Sequence, residues 1–104
     1  MKRQIVLDEK YLKLLKDIIK RNVNFLQYKI YVFGSRTNGK AREYSDIDLA
    51  VDFNGSKLPP DIELNLKIGF EDSLLPYKVD IVDLNNISDS FKKRISNQLI
   101  EIDF

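Results

Sequence analysis

At 104 residues the chain is expected to form a single domain over residues 1–104, because folding at that length buries roughly 65% of the unfolded surface, enough for one core. It has no cysteine and no histidine, which excludes disulfides, a thiol nucleophile, an imidazole base and a Cys/His zinc site, and leaves catalysis to carboxylates, Lys, Arg, hydroxyls or a hard cation. A hydrophobic fraction of 43%, a charged fraction of 32% and 17 basic against 16 acidic residues describe a globular, near-neutral protein, which argues against direct binding of nucleic acid while leaving a local basic patch open.

The N-terminal MKRQIVLDEKYLKLLK is basic but has no apolar stretch of signal-peptide length, and no run in the chain could span a bilayer. This predicts a cytoplasmic protein without a membrane partner. Residues 8–22 place Leu12, Leu15, Ile18 and Ile19 at helical spacing between lysines, with Asp8 as N-cap. KIYVFG (29–34) is a short β-rich run closed by glycine, and the turn-rich stretch after it has room for one short helix near Ser35. DIDLAVDF (46–53) is the second strand. Residues 61–75 carry two patterns: Ile62, Leu64, Leu66, Ile68 and Phe70 alternate as in a strand, whereas Leu66, Phe70 and Leu74 form a helical row. Pro60 suits a first helical position, and the helix is preferred. KVDIVDL (78–84) is a third strand. SDSFKKRISNQLIEIDF (88–104) reads as a closing helix, capped by Ser88 or Asp89, with Phe91, Ile95, Leu99 and Ile102 on one face. The order αβ(α)βαβα gives an α/β (α+β) fold class, with a small mixed three-stranded sheet flanked by helices.

The chemistry concentrates in VFGSRTNGKAREYSDIDLAVD (32–52). Residues two apart in a strand point the same way, roughly 6–7 Å from each other, so Asp46 and Asp48 share a face. A lone D-x-D is also what a half-exposed sheet would show. Paired like charges on a strand repel, however, unless something positive lies between them. If a helix joins strands two and three, those strands run parallel and Asp80 stands beside the pair. An antiparallel first strand ends where the second begins, which brings Gly34 and Ser35 to the same point. Glycine permits close approach of backbone to phosphate, and a following helix N-terminus offers N–H donors. Carboxylates accept phosphate only through a cation, and two magnesium ions about 3.5–4 Å apart would stabilise both oxygens of an in-line displacement. The set suits metal-assisted phosphoryl or nucleotidyl transfer.

The joint pattern GS-x10-D-x-D with a later Asp in V-D-I-V resembles the polymerase-β-type nucleotidyltransferase superfamily, and the chain looks like its minimal nucleotidyltransferase branch over nearly its whole length. The resemblance implies the nucleotidyltransferase fold and two Mg2+ ions with ATP as substrate. It implies Asp46, Asp48 and Asp80 as catalytic and metal-binding residues, with Asp80 on the acceptor side, helping to activate the attacking hydroxyl. Gly34 and Ser35 would hold the phosphates, Gly39 matches a second small residue, and Arg36 and Ser45 join the candidate nucleotide contacts. Members of the branch commonly partner HEPN-domain proteins, and many are antitoxins that transfer AMP to a tyrosine of a HEPN toxin. The implied function is therefore a protein adenylyltransferase acting as a type VII-like antitoxin. A binding antitoxin that masks its partner without chemistry, and transfer to an RNA or small-molecule hydroxyl, stand as alternatives. A homo-oligomer is left open.

Thr37-Asn38 departs from the family, where Ala-Arg is common; losing that arginine would weaken nucleotide binding unless Arg36, Lys40 or Arg42 compensates. Several of these residues also have plainer readings. Ser35 fits an N-cap, Asn38-Gly39 an ordinary turn, and Ser45 a residue that fixes the turn aiming Asp46. Arg36, Lys40 and Arg42 fit a solvated face. Asp83, at odd spacing from Asp80, falls on the opposite face and reads as structural.

Overall fold

The computed structural model describes residues 4–24 and 26–104; Lys2 and Arg3 of the basic N-terminal stretch lie outside them. Helix α1 (Glu9–Asn22) starts where Asp8 Oδ1 accepts from Lys10 N at 3.1 Å, satisfying one of the orphan donors of the first turn. Its inward stripe of Leu15, Ile18 and Ile19 is fully buried. Strand β1 (Lys29–Phe33) leads into a single 3-10 turn, Gly34–Arg36, and then through a loop to β2 (Ile47–Asp52). Helix α2 (Pro60–Glu71) follows with proline at its first turn, as expected, and hands over to β3 (Val79–Asp83). Helix α3 (Asp89–Ile95) is capped by Ser88, whose Oγ accepts from Phe91 N at 3.2 Å.

The sheet order is β3-β2-β1-β4, where β4 is the short strand Ile100–Glu101. β1 and β2 are antiparallel, with Phe33 opposite Asp48, whereas β2 and β3 are parallel, with Asp48 opposite Asp80. Helix α2 is the crossover that makes this parallel pairing possible. Ile47, Leu49 and Val51 point into the larger core with α1 and α2; Ala50 joins Phe33, Leu84 and Ile95 in a smaller core under α3. The sheet is thus covered on both faces, with Asp48 near the start of an inner strand.

Two expectations need correcting. The closing helix stops at Ile95, and Ile100–Glu101 form a fourth strand, β4, antiparallel to β1. Phe91, Ile95 and Leu99 do pack together in the smaller core, but Ile102 lies in the larger one, across the sheet. A continuous helix could not reach both faces. Pairing with β1 satisfies an edge that would otherwise be open, with Ile102 N donating to Ile30 O at 2.8 Å. Secondly, the row Leu66, Phe70, Leu74 breaks after Phe70: α2 ends at Glu71, Leu74 is 88% exposed, and Leu75 is buried instead. The strand-like alternation of α2 survives as exposed Leu64 and Ile68.

Candidate active site

Asp48 and Asp80 are direct partners across the parallel β2–β3 pair, so their carboxylates project from the same face of the sheet. Asp46 stands one residue before β2, outside the ladder and exposed. Two of the three expected carboxylates are therefore fixed by strand pairing, and the third is carried by the turn that enters β2. Among the described residues no group of three or more acidic side chains is gathered into a ready-made cation cage. The charges nevertheless feel one another. Partial burial, then Asp80, then Asp46 push Asp48 up from 3.8 to about 6, and only Lys78 pulls the other way. Lys78 Nζ sits 3.5 Å from Asp80 Oδ1. Both groups are well exposed, so that ion pair contributes little to stability. Its consequence is local: the Lys78 ammonium offsets part of the negative charge that Asp80 and Asp46 impose on Asp48.

The 3-10 turn Gly34–Arg36 lies against this cluster because β1 ends opposite Asp48. Gly34 has φ +78°, a left-handed conformation, and a Cβ there would collide with Asp48 Oδ2. The position therefore requires glycine twice over, for its backbone angle and for the carboxylate beside it. Ser35, on the same turn, is half-buried, and its hydroxyl is engaged by none of the described residues. Phe33, not Ser35, occupies the N-cap position, and it supplies no side-chain cap. A glycine turn, an open hydroxyl and a repelling carboxylate pair thus meet at one end of the sheet. Such a site can receive a polyanion together with its counter-cations.

The sequence matches the family described as polymerase beta nucleotidyltransferase over residues 13–102. The chain belongs to this family. A Haemophilus influenzae protein named probable protein adenylyltransferase MntA is 35% identical over 101 residues, covering 95% of this chain and 84% of that protein. The crystal structure of a toxin-antitoxin with AMP-PNP aligns at a TM-score of 0.68 and 25% identity, covering 86% of this chain and 70% of the other. A tri-AMPylated Shewanella oneidensis HEPN toxin in complex with MNT antitoxin aligns at 0.56 and 29% identity, covering 88% of this chain and 65% of the other.

Other residues of this nucleotidyltransferase fall less simply than the sequence suggests. Arg36 is turned inward and only 4% exposed. Its Nη1 donates to Val6 O at 3.0 Å and its Nη2 to Ser45 O at 2.7 Å, while the guanidinium lies 4.5 Å from the centre of the Tyr77 ring. Nε is buried without a partner among the described residues. Neither a solvated face nor a phosphate contact describes it as placed; it ties the chain just before Asp46 to the N-terminal segment. Ser45 Oγ accepts from Arg42 N at 2.8 Å, closing the turn that leads into Asp46, which is the plainer of its two readings. Gly39 is exposed at φ +81° with open space around it, as an Asn-Gly turn would have it. Lys40 and Arg42 are exposed. Asp83 accepts from Leu58 N at 2.8 Å and Asn85 N at 3.0 Å, a structural role.

The departure at Thr37-Asn38 has a local explanation. Thr37 is buried and its Oγ1 donates to Gly34 O at 3.1 Å, bracing the glycine turn from below. Asn38 Oδ1 accepts from Lys40 N at 3.0 Å and shapes the following turn. Gln98 was not legible in the sequence: its Oε1 accepts from Gly34 N at 3.1 Å across a separation of 64 residues. The same segment after α3 that the helical pattern obscured therefore pins the glycine turn. Arg36→Ala is expected to lower unfolding free energy by about 2–4 kcal/mol, because two backbone carbonyls lose a charged donor inside the fold. Urea denaturation of the two proteins measures this.

Proposed function

We propose that this chain is a Mg2+-dependent protein adenylyltransferase that moves AMP from ATP to a hydroxyl, a tyrosine in our reading, of a HEPN-domain toxin in the cytoplasm, and so acts as a type VII-like antitoxin. The observation that carries the reading is the pairing of Asp48 with Asp80 beside a glycine turn that leaves no room for a Cβ. It is supported by the likeness to a protein adenylyltransferase and to solved toxin–antitoxin assemblies, one of them with AMP-PNP and one with an AMPylated HEPN toxin.

The donor set fits a hard cation. All three candidate ligands are carboxylates, and burial, together with the charges of Asp80 and Asp46, already raises Asp48, so a divalent ion would be favoured there. Bound Mg2+, in two ions shared between Asp46, Asp48, Asp80 and the substrate, would neutralise charge on the triphosphate and on the leaving pyrophosphate. The chain's own residues do the rest. The Gly34–Ser35 turn receives the phosphates, with Ser35 Oγ as a hydroxyl donor. The acceptor oxygen attacks the α-phosphorus, the bond to the bridging oxygen breaks, and pyrophosphate departs carrying the electron pair. Asp80 takes the proton from the acceptor hydroxyl. Gln98, Thr37 and Arg36 hold the turn and the entry to β2, so the geometry is set before substrate arrives.

ATP labelled at the α-phosphate, incubated with the chain, Mg2+ and the cognate HEPN-domain protein, should label that protein; ATP labelled at the γ-phosphate should not. Labelling from the γ position would show phosphoryl transfer instead. An unlabelled partner that is nevertheless neutralised would favour masking without chemistry.

A further inference from the structure

Strand β3 is the outer strand of the sheet, paired only with β2. The ladder shows which of its backbone groups remain open. Ile47 N donates to Lys78 O at 2.9 Å, and Leu84 N donates to Val51 O at 2.9 Å. In a parallel pair, residues facing the neighbour alternate with residues facing away. Even-numbered residues of this strand thus bond to β2, and Val79 and Ile81 direct N–H and C=O outward. No loop or helix among the described residues pairs with these groups.

Open space lies in front of them. A groove of about 540 Å3 runs between the end of α2 and β3, lined by Lys67, Phe70, Tyr77, Lys78 and Asp80 among others. A second hollow of about 490 Å3 continues past Val82, between the loop at Leu58–Pro60 and Asn86. Together they follow the whole of β3, a length of about 17 Å for five extended residues. Asp80, the residue assigned to the acceptor hydroxyl, lines the head of this trough.

We propose that the free edge of β3 is the acceptor-docking site: an extended segment of the protein substrate adds to the sheet as a further strand, with its hydroxyl-bearing residue at the Asp80 end. The occupant follows from the chemistry of the edge, since unpaired N–H and C=O groups two residues apart are matched by another extended backbone. Side-chain selectivity would come from the apolar Phe70 and Tyr77 and the charged Lys67 along the groove. This inference rests on the reading of the chain as a transferase acting on a protein.

The direct test is amide hydrogen exchange of the full chain, alone and in complex with its HEPN-domain protein. Val79 and Ile81 amides should exchange at least about tenfold more slowly in the complex, as newly paired strand amides do. Val79→Pro removes one outward donor at the first position of an edge strand, where proline is tolerated. It should raise the acceptor KM about tenfold while leaving AMP-PNP affinity within about twofold, the size of effect a lost backbone hydrogen bond produces. Amides that exchange as fast with the partner bound as without it overturn strand addition, even if AMP is transferred. Protection without transfer upholds strand addition and counts against the transferase reading. Protection that appears on concentrating the chain alone assigns the edge to a second copy and overturns the proposal.

Discussion

Asp48→Asn is expected to lower AMP transfer by about a thousandfold or more while making the metal-free protein more stable. The first effect follows from removing a carboxylate that would hold cations against the triphosphate, since electrostatic contributions of this kind are among the largest in phosphoryl chemistry. The second follows from the same residue's discomfort. Asp48 is half-buried beside Asp80 and Asp46 and is pushed up to about 6 from 3.8. Because its folded value lies above the unfolded one, it favours the folded state fully below about pH 3.8, and that advantage is lost as pH rises towards 6. Above pH 6 the charged carboxylate therefore destabilises the metal-free fold. After discounting for partial exposure to solvent, about 1–2 kcal/mol should be recovered by asparagine at pH 7.5. Urea denaturation across pH should show wild type losing stability between pH 4 and 6 relative to the variant, at about that magnitude. A destabilised variant would mean that Asp48 is held by compensating contacts rather than strained.

Gly34→Ala should be nearly as damaging, by a different route. The residue sits at φ +78°, which costs an L-residue about 1–2 kcal/mol, and the new methyl would collide with Asp48 Oδ2. One of the two groups must move. Displacing the carboxylate should reduce transfer about a hundredfold, since misplacement by an ångström carries that penalty. The two causes separate in a double-mutant cycle. In an Asp48→Ala background the collision is gone, so the stability cost of Gly34→Ala should fall to its backbone part. If the cost is the same in both backgrounds, the glycine is required by the turn alone and not by the carboxylate beside it.

The site was more legible in the sequence than the full sheet. Asp48 meets Asp80 because a helical crossover forces parallel strands, and α2 could be inferred from Pro60 and the Leu66–Phe70 spacing even though Leu64 and Ile68 imitate a strand. Gly34 arrives beside them because an antiparallel partner must end where β2 begins. Such facts depend on connectivity and period, both of which are written locally. What depends on a distant partner was hidden. Strand β4 is two residues long and follows a row, Phe91, Ile95 and Leu99, that keeps helical spacing beyond the end of its helix. Only the open edge of β1, more than 60 residues away, decides that Ile100 and Glu101 extend.

Arg36 illustrates the same limit at the level of one side chain. Beside Ser35 it reads as a phosphate contact, yet the carbonyls of Val6 and Ser45 and the ring of Tyr77 draw it inward. None of those partners is signalled by the residues around it. Gln98 bonds to Gly34 N for equally non-local reasons. The middle of GSRTNGKAREYSDID is thus a brace for the acid pair, with Thr37 below Gly34, Arg36 behind Ser45 and Ser45 closing the turn into Asp46.

These carboxylates and this turn are expected to place an adenylyl group on a partner protein. Intact-mass spectrometry of the HEPN-domain protein, purified after co-expression with the wild-type chain or with Asp46→Asn/Asp48→Asn, tests it most directly. One or more added AMP groups are expected with the wild type and none with the double variant, with fragmentation locating them on hydroxyl side chains. An unmodified partner in both cases, or the same modification in both, would contradict that expectation.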